Sequence, residues 1–224
     1  NRPDEAIPDY EFILNDWTSE YTEKALMSIS RIYLAEKKYN EAIVHLKKLE
    51  LTSEYKANYG FAINNLMEAY SNIDMPDETL RYVALIKESA KSSEEDKLRA
   101  GLYGGKANLM KGDTTAALKA FTDVAEKTKT VSGAEAKYNV ANLQYLKGDF
   151  KTSLKTAFDL TNKMPNHDYW VAKTFILIAD NYVAMKDNFQ AKSTLQSILE
   201  NYEGKEEDIL PVAKEKLAKL NVKG

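Results

Sequence analysis

Residues 100–121 read AGLYGGKANLMKGDTTAALKAF, and two readings compete over them. Gly104 and Gly105 stand directly before Lys106, the way a phosphate-cradling loop can begin. A Walker-type loop, however, needs a glycine, four residues, then Gly-Lys-Ser/Thr, all after a strand. Here Gly101 lies four residues before Gly105 rather than five, Ala107 follows the lysine, and no strand pattern precedes. The alternative is a helix whose glycines pack closely against a neighbour, followed by a polar turn, KGD, and a second amphipathic helix. Three glycines lower helix propensity by about 1 kcal/mol each relative to alanine, so this helix is expected either to be the weakest of its kind in the chain or to make an unusually close contact.

The second half of that stretch recurs. EKKYNEAIVHL (36–46), MKGDTTAALKAF (110–121) and LKGDFKTSLKTAF (146–158) are each a short polar turn leading into an amphipathic helix. Another helix precedes each turn. EKALMSISRIYLA sets Leu26, Ile29, Ile32 and Tyr33 on one side, and AKTFILIADNYVA does so with Phe175, Ile178, Ala179 and Tyr182. No stretch sustains strict alternation, so the chain is expected to be all-α. The small residue on each second helix falls at Ala42, Thr79, Ala117, Ser153 and Ala191, at intervals of 37, 38, 36 and 38 residues. On each first helix the matching small slot holds Ser30, Met67, Gly105, Ala141 and Ala179, with Met67 the departure.

On these residues the chain resembles the tetratricopeptide repeat family, whose pattern is a bulky residue, Leu, a small residue and Tyr on the first helix, then Ala, Phe and a closing Pro. The first unit supplies Leu26, Ile29, Ser30, Tyr33, Ala42 and Leu46; the second Ile63, Leu66, Tyr70, Thr79 and Val83; the third Gly104, Gly105, Asn108, Ala117 and Phe121; the fourth Val140, Ala141, Gln144, Ser153, Ala157 and Pro165; the fifth Phe175, Ile178, Ala179, Tyr182, Ala191 and Leu195. The interval exceeds the family's roughly 34 residues. The resemblance implies a right-handed α-solenoid of about five helix-turn-helix units over residues 20–204, closed by a capping helix within 205–224. That helix, expected near 207–221, offers Leu210, Val212, Ala213, Leu217 and Leu220 to the last unit and Lys214, Glu215, Lys216 and Lys219 to water. Residues 1–19, with Tyr10, Phe12, Ile13, Leu14 and Trp17, read as a short helix that either covers the first unit or remains from a preceding repeat. The chain itself is expected to be a mature product or a segment of something longer.

Composition narrows the function. The net charge of −3 is interleaved along the chain, and arginine occurs only at Arg2, Arg31, Arg81 and Arg99, which gives no nucleic-acid footprint. No apolar run approaches the ~20 residues of a membrane-spanning helix. There is no cysteine, so thiolate zinc sites, cysteine nucleophiles and disulfides are excluded. His45 and His167 lie on unrelated segments, and no serine has a His and Asp escort, so neither a metal site nor the nucleophile–base–orienter set of an enzyme assembles. The chain is expected to be non-catalytic and to need no cofactor. The acidic runs read as solvated helix starts: Ser92/Glu95 and Ser132/Glu135 at capping-box spacing, Asp113, Asp149 and Asp168 as N-caps.

The remaining expectations come from the resemblance. First helices in this family line a concave, partner-binding surface, which places there Met27, Arg31 and Leu34; Asn64, Glu68 and Ser71; Leu102, Lys106 and Leu109; Tyr138, Asn142 and Tyr145; and Ile176, Asp180 and Val183. Lys106, Tyr138, Asn142, Tyr145 and Lys173 are the candidate binding residues. Lys106, Asn139, Asn142 and Lys173 match the family's carboxylate-gripping groove only loosely, and that activity is not assigned. The implied function is a scaffold for a protein or peptide partner; the alternative is a structural arm of a longer repeat protein with no site of its own. The unit length, with its lysine, asparagine and tyrosine bias, resembles repeat proteins of bacterial cell envelopes, which favours envelope or periplasm over cytoplasm.

Overall fold

The computed structural model describes residues 3–15 and 21–222, and among them it is all-α, without a strand. A 3-10 turn (Pro3–Ala6) leads into α1 (Ile7–Leu14), α2 (Thr22–Ala35), α3 (Tyr39–Thr52), α4 (Lys56–Asn72), α5 (Pro76–Glu88), α6 (Glu94–Met110), α7 (Thr114–Lys127), α8 (Val131–Leu146), α9 (Phe150–Lys163), α10 (Asp168–Ala184), α11 (Asn188–Asn201) and α12 (Ile209–Val222). Trp17, expected in the N-terminal helix, lies outside the described residues. The chain divides into two compact units, Asn1–Ala117 and Leu118–Gly224.

Within each repeat the polar turn has one solution. Lys37, Asp74, Gly112, Gly148 and Lys186 take positive φ (56–80°), each five residues before the small slot of the following helix. The next backbone N–H donates back to the carbonyl five residues earlier, Lys38 to Tyr33, Met75 to Tyr70, Asp113 to Asn108, Asp149 to Gln144 and Asp187 to Tyr182, at 2.8–3.0 Å. This is the Schellman closure, which satisfies carbonyls left open at a helix end. Glycine adopts that conformation freely; lysine and aspartate do so at a cost of about 1–2 kcal/mol. The turn sets the angle at which the second helix returns, and Ala42, Thr79, Ala117, Ser153 and Ala191 are all fully buried. The spacing legible in the sequence is therefore the spacing of both turns and slots.

In the first unit α2, α4 and α6 touch in sequence and form one layer, with α3 and α5 behind them. Met67 is fully buried in the slot expected to be small, inside the cluster that holds Ala42, Leu46, Tyr70 and Tyr82. The three glycines of α6 are buried inside a helix, and a Cβ on Gly104 would sit 3.3 Å from Val83 Cγ1 of α5, so Gly104 makes a close helix contact and the stretch is no phosphate-cradling loop. In the second unit α8, α10 and α12 form the first-helix layer and α9 and α11 the second. A buried polar chain ties them: Ser153 Oγ donates to the Ala141 carbonyl (2.8 Å), and Asn181 Nδ2 donates to Ser153 Oγ (3.0 Å).

Several local expectations shift. The α6 capping box is Ser93 with Asp96, one residue beyond Ser92 and Glu95. Helix α8 starts from Thr130, which places Ser132 inside its first turn, and α10 starts from His167, so Asp168 is its first residue and caps nothing. Asp113 and Asp149 do cap, accepting from the Ala116 and Thr152 amides. On α12 the stripe facing α11 is Ile209, Ala213, Leu217 and Leu220. Leu210 and Val212 fall off that stripe at helical spacing and are 38% and 37% exposed.

Candidate functional site

The residues expected on the first-helix face separate into those that reach solvent and those trapped between neighbours. Asn64, Ser71, Leu102 and Ile176 are buried, contrary to expectation. Within the units α4 lies between α2 and α6, and α10 between α8 and α12, each also backed by second helices, so only a narrow strip of these first helices stays open. Asn64 spends its amide on the Gly60 carbonyl of its own helix (3.0 Å). Met27 packs against the Leu26, Leu49 and Ala62 cluster. Lys216, expected on the outer face of the last helix, reaches across to Asp180 at 2.7 Å.

In the first unit the open strip is stitched by arginine. Arg31 lies over the Phe61 ring (4.9 Å to its centroid), joining α2 to α4. Arg99 of α6 is ion-paired with Glu68 of α4 and lies over Tyr103 (5.6 Å). Lys106, one of the five candidate residues, sits over the same Tyr103 ring at 4.7 Å.

The other four candidates are in the second unit, on α8 and α10. Tyr138 is half-buried, and its ring is 5.5 Å from that of Trp170, tilted by 44°. Trp170 meets Tyr169 edge-on at 5.0 Å. Lys173, one turn along α10, holds its ammonium 5.9, 5.0 and 5.6 Å from the Tyr138, Tyr169 and Trp170 ring centroids. It donates to Tyr169 Oη (2.8 Å), which in turn donates to Asp208 Oδ2 (3.2 Å), just before α12. Helices α8 and α10 and the connection leading into α12 thus converge on one lysine. Burial works against its charge, but the hydrogen bond it donates to Tyr169 and its electrostatic interactions with Tyr169, Tyr138 and Asp208 outweigh it and hold its pKa above the ordinary lysine value. Burial pushes the Tyr138 hydroxyl up, with the Lys173 charge opposing.

Asn142 and Tyr145 follow Tyr138 along α8. Tyr145 packs beside Tyr138 on the cluster of Ala141, Ala157, Leu177 and Ile178, with its ring 5.6 Å from Phe150. Asn142 is half-buried between the tyrosines, and among the described residues its amide has no hydrogen-bond partner. The structure therefore brings Tyr138 and Lys173 into contact, sets Asn142 and Tyr145 on the same helix, and leaves Lys106 in the first unit. Sequence reasoning missed Tyr169, Trp170 and Asp208. The first two stand four and three residues before Lys173, a spacing that places all three on one face of a helix; Asp208 sits in an acidic run that looked merely solvated.

The arrangement is an aromatic platform with a fixed positive centre. Nothing in it activates a nucleophile. Among the described residues no group of three or more His, Cys, Asp or Glu side chains could hold a metal ion, and no helix is long and apolar enough to cross a membrane.

Comparison with known proteins agrees with the architecture. The family model for the tetratricopeptide repeat matches residues 174–204, most of α10 with α11 and the segment after it. Among solved structures, the MamA protein aligns with a TM-score of 0.58 and 18% identity over 90% of this chain and 96% of its own. A thermophilic TPR protein of Thermus thermophilus aligns at 0.64 and 13% over 88% and 99%. A tetratricopeptide repeat protein from Parabacteroides merdae aligns at 0.65 and 15% over 99% and 78%. At these identities the likeness is one of fold. The curated protein sequences gave no match.

Proposed function

We propose that the chain, whose fold is that of tetratricopeptide repeat proteins, is a non-catalytic scaffold that takes an extended segment of a partner protein along the first-helix face of its second unit. The observation that carries this reading is the pre-set aromatic group: Tyr138 and Trp170 in contact at 5.5 Å, pinned by Lys173, with the unpartnered Asn142 amide one turn away. Tyrosine and tryptophan dominate the energetics of protein interfaces because they offer large, rigid surface with a polar edge. Rings already fixed lose little further freedom on binding, so more of the contact energy appears as affinity. The Asn142 amide can both donate to and accept from a peptide backbone, which suits an extended ligand.

The test uses peptides selected from a displayed random library against the full chain. Binders are then titrated against variants. Trp170→Ala and Asn142→Ala are each expected to weaken binding about tenfold or more, the size expected for truncating a residue at an interface centre. Phe189→Ala, on the second-helix layer and 79% exposed, is expected to leave it unchanged. Binders indifferent to Tyr138, Asn142 and Trp170, or no binders at all, would favour the structural-arm reading.

A further inference from the structure

A second surface of the Leu118–Gly224 unit runs along the edge where each second helix passes into the next first helix. Three connections line it: 128–130, 164–167 and 202–208. Their adjacency is fixed by contacts. The Lys129 carbonyl meets His167 Nε2 at 2.7 Å, and Asp208, at the end of the third connection, meets Tyr169 and Lys173 at the start of α10. The edge is polar in the electrical sense. At one end Lys127 and Lys129 are exposed, outnumbering the exposed Glu126 beside them, and among the described residues neither ammonium has an ion-pair partner. At the other end Glu203, Glu206, Glu207 and Asp208 are all exposed, with Lys205 among them and Lys173 beside Asp208.

A row that runs from positive to negative is complementary to its own reverse. Two copies laid edge to edge, antiparallel, bring each basic end against the other's acidic end, and do so twice. That is the isologous arrangement of a two-fold dimer, in which the same patch serves both subunits. Exposed apolar side chains mark both ends, Val131 (57% exposed) beside the lysines and Leu210 (38%) beside the carboxylates, so the pairing adds an apolar contact at each end.

We infer that this edge is a homodimer interface, its occupant a second copy of the chain held by reciprocal pairing of Lys127 and Lys129 with the 203–208 segment. The contact is rim-like and charged, so the dimer is salt-sensitive and reversible; charge complementarity of this kind governs register and encounter more than affinity.

Sedimentation of the full chain over a concentration series decides the matter. The dissociation constant is expected to rise about tenfold or more between about 20 mM and about 300 mM salt. Reversing one end, Lys127→Glu with Lys129→Glu, leaves both ends acidic; reversing the other, Glu203→Lys with Glu207→Lys, turns the net charge of segment 203–208 from −3 to +1 and leaves neither end net acidic. All four side chains are exposed, and circular dichroism checks that both variants fold. Each variant alone is expected to be monomeric, and an equimolar mixture is expected to form a heterodimer, because the two reversed edges are mutually complementary. The inference is overturned by a wild-type chain that stays monomeric at low salt, by variants that still self-associate, or by a mixture that does not pair.

Discussion

Met67 in the first unit and Ala179 in the second occupy the same repeat position, and both are fully buried. Beside Met67 the rings of Tyr70 and Tyr82 stack at 5.8 Å. Ala179 lies in a cluster with Ile176, Ala191 and Leu195, flanked by Phe175 and Tyr182. The slot is therefore not reserved for a small residue; what the two positions share is full burial, and a flexible thioether fills irregular space readily. The faces differ as much. All four arginines precede residue 118, and Arg31 and Arg99 tie first helices together in the first unit. The second unit has none, and gathers Tyr138, Tyr169 and Trp170 around Lys173 instead. One turn and one buried position per repeat define the fold, and the face is left free to carry different chemistry.

The contrast can be broken hardest by removing α12. Its neighbours are α10 and α11, so deleting residues 205–224 should expose Leu195 and Ile198 and speed amide exchange across 188–202, while α2–α4 keep their protection, because contacts in a repeat array are local. Protection lost evenly from residue 21 onward, measured by mass spectrometry, would make the chain one cooperative body. The shared slot comes next. Met67→Ala should leave a cavity and cost about 2–5 kcal/mol, and Ala179→Leu should overpack for about 1–3 kcal/mol. Denaturant midpoints that move for neither substitution would mean that neither position is a packed slot.

The turns offer a smaller and signed effect. Gly112→Ala should lose about 1–2 kcal/mol, and Lys186→Gly should gain somewhat less than that, because glycine removes the left-handed penalty while adding freedom to the unfolded chain. Two losses would refute the turn as the common element. The smallest effect sharpens the comparison by pH. His45 is stacked on Tyr33 (5.6 Å), and its buried Nδ1 has no hydrogen-bond partner. Burial first and the Lys48 charge second hold its pKa below 6.5, against a weaker opposing pull from Glu11. The unfolded chain then takes the proton first, so stability is unaffected above that value and falls as pH drops below it. In the second unit, hydrogen bonds from Lys137 and Lys163 depress Asp159 below 3.8; its contribution is present above that value and lost only in stronger acid. Exchange protection should therefore weaken in α2 and α3 first on mild acidification, and His45→Phe should abolish that early step.

The periodic features were legible in the sequence for a physical reason: each repeats the same short-range constraint. A helix that must close through a left-handed residue and return with a small residue five positions later writes that demand into every unit, so Ala42, Thr79, Ala117, Ser153 and Ala191 could be read off by interval alone, and all are fully buried. Local capping was read less sharply, since Ser92 and Ser93 are both plausible caps and only the helix start chooses between them. The face could not be read this way. Tyr138 meets Trp170, Lys173 meets Asp208, Lys216 meets Asp180 and Arg99 meets Glu68 across roughly thirty to forty residues of chain. Each of those contacts depends on how far one helix is displaced along its neighbour, and that displacement is a property of packed side chains on both. The sequence by itself determined the fold and its register; which residues of the first helices reach solvent, and which of them meet, was decided only when the helices packed.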